Sequence, residues 1–201
     1  EIGTGDWSSD VCSSDLDCQV QIKKFPELFI QKILNDLNIK YISQFGKRSA
    51  SWCDSKKYDY YFKYNNEEYI IEVHGMQHYE NGWVSVELTQ ENDNYKYNLA
   101  IQNGIKPENY IIIDFRYSTL EWGKEHILNS KLNEIFDLSK IDWEECLNYA
   151  DRDYIKFICD EWNSHPNEKI GEMSKRLKLG KTFIRDRLKK GQKLGYCHYL
   201  D

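Results

Sequence analysis

The stretch YDYYFKYNNEEYIIEVHGMQHY, residues 58–79, decides the fold. It contains two runs of aromatic and β-branched residues, 58–64 and 68–74, which are typical of β-strands. Asn65 and Asn66 separate the runs, and asparagine tolerates the backbone angles of a tight turn. The pattern therefore predicts a β-hairpin that ends at Gly75.

The segments around the hairpin alternate between helical and strand patterns. Apolar spacing predicts a helix over 25–37 and a short strand over 39–45 before the hairpin. After it, the pattern predicts a helix over 91–104, a buried strand over 110–115, and helices over 120–136 and 143–163. This order is typical of an α/β fold in which helices flank a mixed sheet.

The first sixteen residues, EIGTGDWSSDVCSSDL, differ in composition from the rest of the chain. They contain no Lys or Arg and resemble the translation of a sequencing-library adapter. They also lack the basic and apolar regions of a signal peptide. We therefore expect residues 1–16 to be an artefact outside the fold, with the true N-terminus missing.

Charge is distributed unevenly along the remaining residues. Without the four acids of residues 1–16, the net charge changes from −6 to −2. Residues 168–201 hold ten Lys or Arg against four acids, so this segment carries +6. Such a basic end is typical of a protein that binds a polyanion, although a solvated lysine-rich surface is the simpler alternative.

The basic end also has the apolar spacing of two short helices. Residues 167–188 place apolar side chains at helical intervals, with a tight turn near 178–180. This resembles a helix-turn-helix, whose second helix, here 181–190, enters the major groove of DNA. A small bundle for protein contacts is the alternative. The residues expected to face DNA are Lys178, Lys181, Thr182, Arg185, Lys189 and Lys190.

Several acidic and imidazole side chains gather around the hairpin. Asp59 lies in its first strand and Glu72 near the end of its second, so antiparallel pairing can bring the two carboxylates together. Two adjacent carboxylates are suitable ligands for Mg²⁺ or Mn²⁺. His74 and His78 follow at a spacing of four residues, where an imidazole can transfer protons. We therefore predict a metal site at Asp59 and Glu72.

The sequence places Glu27 in a helix and Asp59 in a strand, followed by the strings IIEVHGMQHY and QENDNYK. This succession resembles the PD-(D/E)xK nuclease superfamily, in particular its very short patch repair and EDxHD homing endonuclease branch. The resemblance covers residues 25–116. It implies a restriction-endonuclease-like fold, a metal-binding Asp and a histidine for proton transfer. The residues that it assigns are Glu27, Asp59, Glu72, His78 and Asp93.

Two positions depart from the superfamily pattern, and one of them is Tyr58, which precedes Asp59 where the motif has proline. His74 stands where the motif has a lysine, so the lysine's role falls to His74, to His78, or to Lys96 from the following helix. Gln90 and Lys96 share a helix face with Asp93 and either support the site or form an ordinary surface cluster.

The combined expectation is a Mg²⁺-dependent DNA endonuclease of phage or mobile-element homing type. The predicted domains are an endonuclease-like unit over 17–138 and a helical linker with a small all-α helix-turn-helix unit over 139–201. A catalytically inactive DNA-binding regulator on the same scaffold is the alternative. The expected partner is double-stranded DNA, with a homodimer possible and no membrane contact.

The cysteines and the apolar runs define the expected environment. The cysteines after residue 16 are scattered, without a CxxC or Cys/His pattern, which argues against a zinc site and a disulfide framework. No apolar run approaches the ~18 residues of a membrane span. We expect a protein of the reducing cytoplasm of a bacterial or phage-infected cell.

Overall fold

The computed structural model describes residues 25–80, 85–177 and 179–199. The adapter-like segment 1–16 and Lys178 lie outside these residues. The strands are β1 (Tyr41–Gly46), β2 (Lys57–Tyr64), β3 (Glu67–His74) and β4 (Tyr110–Asp114). The helices are α1 (Phe25–Asp36), α2 (Val86–Gln102), α3 (Leu120–Leu128), α4 (Lys131–Ile135), α5 (Trp143–Ser164), α6 (Ile170–Leu177) and α7 (Lys181–Lys193).

The predicted hairpin is confirmed. Strands β2 and β3 pair antiparallel, with Tyr60 opposite Ile71 and Tyr64 opposite Glu67. Asn65 and Asn66 both have left-handed backbone angles, with φ of 49° and 62°. Left-handed angles at both positions match the twist of the flanking strands, and asparagine adopts them at low cost.

The four strands form one mixed sheet in the order β1-β2-β3-β4. Strand β1 pairs antiparallel with β2, whereas β4 pairs parallel with β3 and places Asp114 opposite His74. A parallel pair needs a crossover connection, and α2 lies in the segment that joins β3 to β4. The carboxyl ends of β3 and β4 therefore lie at the same edge of the sheet.

Apolar side chains cover both faces of the sheet. Helices α1, α3, α4 and the first part of α5 pack on one face, around Phe29, Ile71 and Ile113. Ala100 of α2 packs on the other face against Ile70. The coarse prediction of an α/β fold with a mixed sheet flanked by helices is confirmed.

Two helix boundaries differ from the sequence prediction. Helix α2 begins at Val86 rather than near residue 91, because the hydroxyl of Ser85 caps it by accepting from the Leu88 N–H at 3.3 Å. The helix predicted over 120–136 is two helices, α3 and α4. Ser130 separates them by capping α4 through the Leu132 N–H.

Helices α5, α6 and α7 form a small C-terminal unit with its own apolar cluster, which includes Ile158, Met173 and Leu188. Helix α6 ends at Leu177 and α7 begins at Lys181, so three residues connect the two helices. Helix α5 contributes Ala150 to the sheet core and Ile158 to this cluster. The helix begins just after the predicted domain boundary at 138, and its side chains pack in the apolar clusters of both predicted domains.

Among the described residues, no helix has the length and apolar character needed to cross a membrane.

Candidate active site at the carboxyl end of β3

An irregularity in two neighbouring strands positions Asp59. Strands β1 and β2 pair Ser43 with Tyr60 and Phe45 with Tyr58, but Gln44 between them has a left-handed φ of 51°. The Asp59 carboxylate turns toward β3 and accepts the Val73 N–H at 2.8 Å. This bond holds the carboxylate beside the end of β3, directly next to the backbone that bears the following histidine.

Glu72 points from β3 toward α2 and is 4% exposed. Its Oε2 lies 2.6 Å from Nζ of Lys96, so the lysine from α2 reaches the site. The Tyr58 hydroxyl donates to the backbone carbonyl of Lys96 at 2.9 Å and fixes this turn of the helix on the sheet. The sequence left His74, His78 and Lys96 as alternatives for the role of the motif lysine. Of these, Lys96 contacts Glu72, a carboxylate that is predicted to bind the metal.

The second carboxylate oxygen of Glu72, Oε1, is buried and has no hydrogen-bond partner among the described residues. Burial raises the pKa of Glu72 to about 8, although the nearby Lys96 ammonium lowers it, and the negative Asp59 raises it further. The Lys96 ammonium balances Oε2, whereas the buried Oε1 is left without a donor among the described residues. This is an environment that a cation beside Asp59 and Glu72 would complete.

His74, His78 and Asp93 form a compact group next to the carboxylates. Nδ1 of His78 lies 2.6 Å from Oδ2 of Asp93, which comes from α2. The His74 and His78 rings stack with centroids 3.9 Å apart and planes 11° from parallel. Because a carboxylate accepts, this contact assigns a proton to Nδ1 of His78.

The local charges explain how this group titrates. Burial lowers the pKa of His74, and the neighbouring His78 lowers it further, so His74 is neutral at pH 7. Burial alone would raise the pKa of Asp93, but the hydrogen bond with His78 and the nearby Lys96 ammonium hold it below its usual value. Asp93 therefore stays ionised and orients His78.

The same three side chains are a candidate metal group, since their ligand atoms lie within 4.8 Å of one another. Two imidazoles and one carboxylate favour a transition metal such as Zn²⁺ or Mn²⁺ over Mg²⁺. The predicted pair Asp59 and Glu72 offers only oxygen ligands, which suit Mg²⁺. The sheet edge thus contains two adjacent sets of donors with different metal preferences.

Glu27 lies in the first turn of α1, on the other side of the sheet from Glu72. The Tyr60 hydroxyl anchors this turn by donating to the Glu27 carbonyl at 2.7 Å. The residue lines an open cleft together with Val73 and Gly75, so it borders the end of β3.

The predicted DNA-contacting side chains divide into two groups. Four of them are exposed and share one face of α7: Lys181, Thr182, Arg185 and Lys189. Lys190 instead bonds to the buried Asp151 of α5 at 2.8 Å, and its neighbour Arg187 bonds to the same carboxylate at 2.6 Å. Lys190 therefore has an ion-pair partner within the protein, with its side chain 40% exposed, and its contact with DNA stays a prediction.

The cleft beside Glu27 also connects the sheet edge with the C-terminal unit. Phe183 and Arg187 of α7 line it opposite Gly75 and Arg116. Helix α7 therefore lies next to the end of β3 and not at a distance from it.

Sequence reasoning missed several residues that shape the site. Asp114, at the end of β4, accepts from Arg116 at 2.9 Å, and the Arg116 guanidinium stacks over Tyr79 at 3.8 Å. The position of Asp114 in the sequence could have indicated its place in the site. Asp114 ends a strand that pairs parallel with β3, and this pairing puts it opposite His74. Gln44, which contacts Asp59 at 3.5 Å, gave no such signal.

Comparison of the chain with protein-family models, curated proteins and solved structures found no match.

Proposed function

We propose that the protein is a metal-dependent DNA endonuclease that hydrolyses a phosphodiester bond at the carboxyl end of β3. The observation that carries this proposal is the convergence of acidic, imidazole and ammonium groups from β2, β3, the segment after β3 and α2 at one sheet edge. Glu72 contacts Lys96, His78 contacts Asp93, and Asp59 is bonded to the backbone between them.

Asp59 and Glu72 would hold Mg²⁺ or Mn²⁺. The orphaned Oε1 of Glu72 and the neighbouring Asp59 carboxylate fit a hard cation with oxygen ligands. Such a cation supplies Lewis-acid chemistry, because it stabilises negative charge on the phosphate and makes water easier to deprotonate. Lys96 holds the Glu72 carboxylate in place and adds positive charge where the phosphate becomes more negative.

His78 is the proposed proton acceptor. Asp93 accepts the Nδ1 proton of His78, so Nε2 of His78 is directed away from Asp93 and can take a proton from water. His74 stacks on the other imidazole face and restrains its rotation. The arrangement is that of a base oriented by a carboxylate, as general acid–base catalysis requires.

Helix α7 would bind the DNA. Its exposed face carries Lys181, Arg185 and Lys189, whose charges complement the phosphate backbone. The short connection from α6 to α7 is consistent with a helix-turn-helix in which α7 enters the major groove. The position of α7 beside the cleft that borders the sheet edge would bring bound DNA close to the proposed catalytic residues.

Plasmid nicking tests the proposal. The wild-type chain is incubated with supercoiled DNA and Mg²⁺, Mn²⁺ or chelator, beside the isosteric variants Asp59→Asn and Glu72→Gln. We expect cation-dependent nicking or linearisation in the wild type and at least ~100-fold slower cleavage in both variants, with DNA binding retained in a mobility-shift assay.

Glu68→Gln is the matched control, because Glu68 is a partly exposed carboxylate on the same strand and pairs with Lys63. It should cleave at the wild-type rate. A wild-type chain that shifts DNA but never nicks it with any of these cations would overturn the enzyme and favour a DNA-binding regulator. If the Asp59→Asn variant cleaves DNA at the wild-type rate, the proposed metal site is wrong.

A further inference from the structure

Two cysteines that are distant in sequence meet in the C-terminal unit. Cys159 lies in α5 and Cys197 in the segment after α7, and their Sγ atoms are 3.1 Å apart. Both are free thiols. The Cys159 thiol donates to Cys197, which in turn donates to the Leu188 carbonyl at 3.6 Å. The scattered cysteine spacing had indicated no such pair.

The backbone of α7 leaves room for these two sulfurs at Gly191. A Cβ at this position would lie 2.0 Å from Sγ of Cys159 and 3.5 Å from Sγ of Cys197. Any side chain there would displace the buried thiol. The glycine therefore allows α7 to pack against α5 directly over the thiol pair.

Non-covalent contacts already hold the segment that bears Cys197. Nε1 of Trp162 donates to the His198 carbonyl at 3.1 Å, and Nδ2 of Asn163 donates to the Tyr196 carbonyl at 2.9 Å. The Trp162 ring packs edge-on against Tyr199. These contacts bring the two sulfurs together before any bond forms, so little further ordering is needed to join them.

We propose that Cys159 and Cys197 are an oxidisable dithiol, which a low-molecular-weight disulfide such as oxidised glutathione converts to an intramolecular disulfide. The two thiols lose two protons and two electrons, and one oxidised glutathione is reduced to two glutathione thiols. The disulfide links the segment after α7 covalently to α5. This modification is independent of the proposed nuclease activity.

Exposure sets the order of the two exchange steps. Cys197 is half-buried and attacks oxidised glutathione first, which forms a mixed disulfide and releases one glutathione thiolate. Cys159 then loses its proton to solvent and attacks Sγ of Cys197, which releases the second thiolate. Burial raises the pKa of Cys159 to about 12, and its hydrogen bond to Cys197 raises it too, so Cys159 is the resolving thiol.

Peptide mapping of the full chain in glutathione redox buffers tests the proposal. The reduced protein is equilibrated at a series of glutathione ratios, quenched with acid, alkylated and digested without reductant. We expect the linked Cys159–Cys197 peptide, two hydrogen atoms lighter than the reduced pair, as the main oxidised product. Its equilibrium constant should exceed that of the urea-unfolded chain by at least ~10-fold.

Two variants serve as controls. Cys53→Ser changes a buried cysteine that packs beside the sheet and should leave the linked peptide unchanged. Cys197→Ser should abolish it while thermal unfolding still shows a folded chain. A stable glutathione adduct on Cys197 without the linked peptide would overturn the proposal. An equilibrium constant equal to that of the unfolded chain would do so as well.

Discussion

The Lys96 ammonium lies 2.6 Å from Oε2 of Glu72, and the two side chains are only 12% and 5% exposed. They come from α2 and β3, 24 residues apart, so this pair joins the helix to the sheet at the proposed active site. Removing one charge of a buried pair leaves the other without compensation, whereas removing both relieves that cost.

A double-mutant cycle measures the coupling of this pair. We expect Lys96→Met and Glu72→Gln each to lower the free energy of unfolding, and the double variant to lose less than the sum by about 2 kcal/mol. Urea unfolding of the metal-free chain at pH 9, where the Glu72 carboxylate is ionised, provides the values. The exposed pair Lys63–Glu68 is the control, with a coupling below about 1 kcal/mol. Equal coupling for both pairs would show that burial has no influence.

His78 and Asp93 should act as one unit in catalysis. We expect His78→Asn to reduce kcat by about 10²–10⁴-fold with little change in KM, because a base contributes to the transition state rather than to DNA binding. Asp93→Asn should act in the same direction, and the double variant should be little worse than His78→Asn. Single-turnover cleavage of a labelled duplex measures these rates.

The control for this pair is His165→Asn, since His165 lies at the end of α5 with its side chain 45% exposed. Its cleavage rate should match the wild type. Independent, multiplicative effects of the His78 and Asp93 substitutions would contradict a shared role.

The exposed face of α7 should supply much of the DNA affinity. We expect the triple variant Lys181→Gln, Arg185→Gln and Lys189→Gln to flatten the slope of log K against log salt by about 2–3 units, because fewer counterions are released on binding. Fluorescence anisotropy over a salt series measures the slope. An unchanged slope would place the DNA contacts on another surface.

A charge-matched triple variant controls for the loss of positive charge. Lys63, Lys106 and Lys131 contact nearby glutamates around the hairpin turn and α4, away from α7. Replacing these three lysines by glutamine removes the same number of positive charges as the α7 variant. We expect a much smaller change in the salt slope, since these lysines would not contact phosphate.

Asp151 should be essential to the stability of the C-terminal unit. It is fully buried in α5 and bonds to both Arg187 and Lys190. We expect Asp151→Ala to lower the free energy of unfolding by about 3–5 kcal/mol, since it leaves two cations facing an apolar interface. The control Asp153→Ala, at a partly exposed position on the same helix, should cost less than about 1 kcal/mol. Similar losses for both would contradict the structure.

The local elements were predictable because their signals lie close together in sequence. Residues 58–74 combine strand propensity with an Asn-Asn turn, and the hairpin follows from these nearest-neighbour preferences. The first turn of α2 was harder to predict, since a single capping hydroxyl at Ser85 extends the helix beyond its periodic part. The break at Ser130 has the same cause.

The candidate site was predictable as a set of residues but not as an arrangement. Asp59, Glu72 and His78 were identified from their types and spacing, and Asp93 from the family resemblance, and the structure brings these residues to one sheet edge. The role of Lys96 stayed open, because a lysine on a helix can point to solvent or to the sheet. The contact with Glu72 depends on how α2 docks.

The sequence by itself determined the mixed α/β order, the hairpin and the residue types of the site, because propensity and periodicity act over a few residues. Only the tertiary structure decided which partners they meet. It turned Asp59 toward β3, paired Lys190 with Asp151 and placed the Cys159 thiol beside the Cys197 thiol. The reason is physical: buried charges and thiols take partners from whichever elements pack against them, and packing depends on the whole chain.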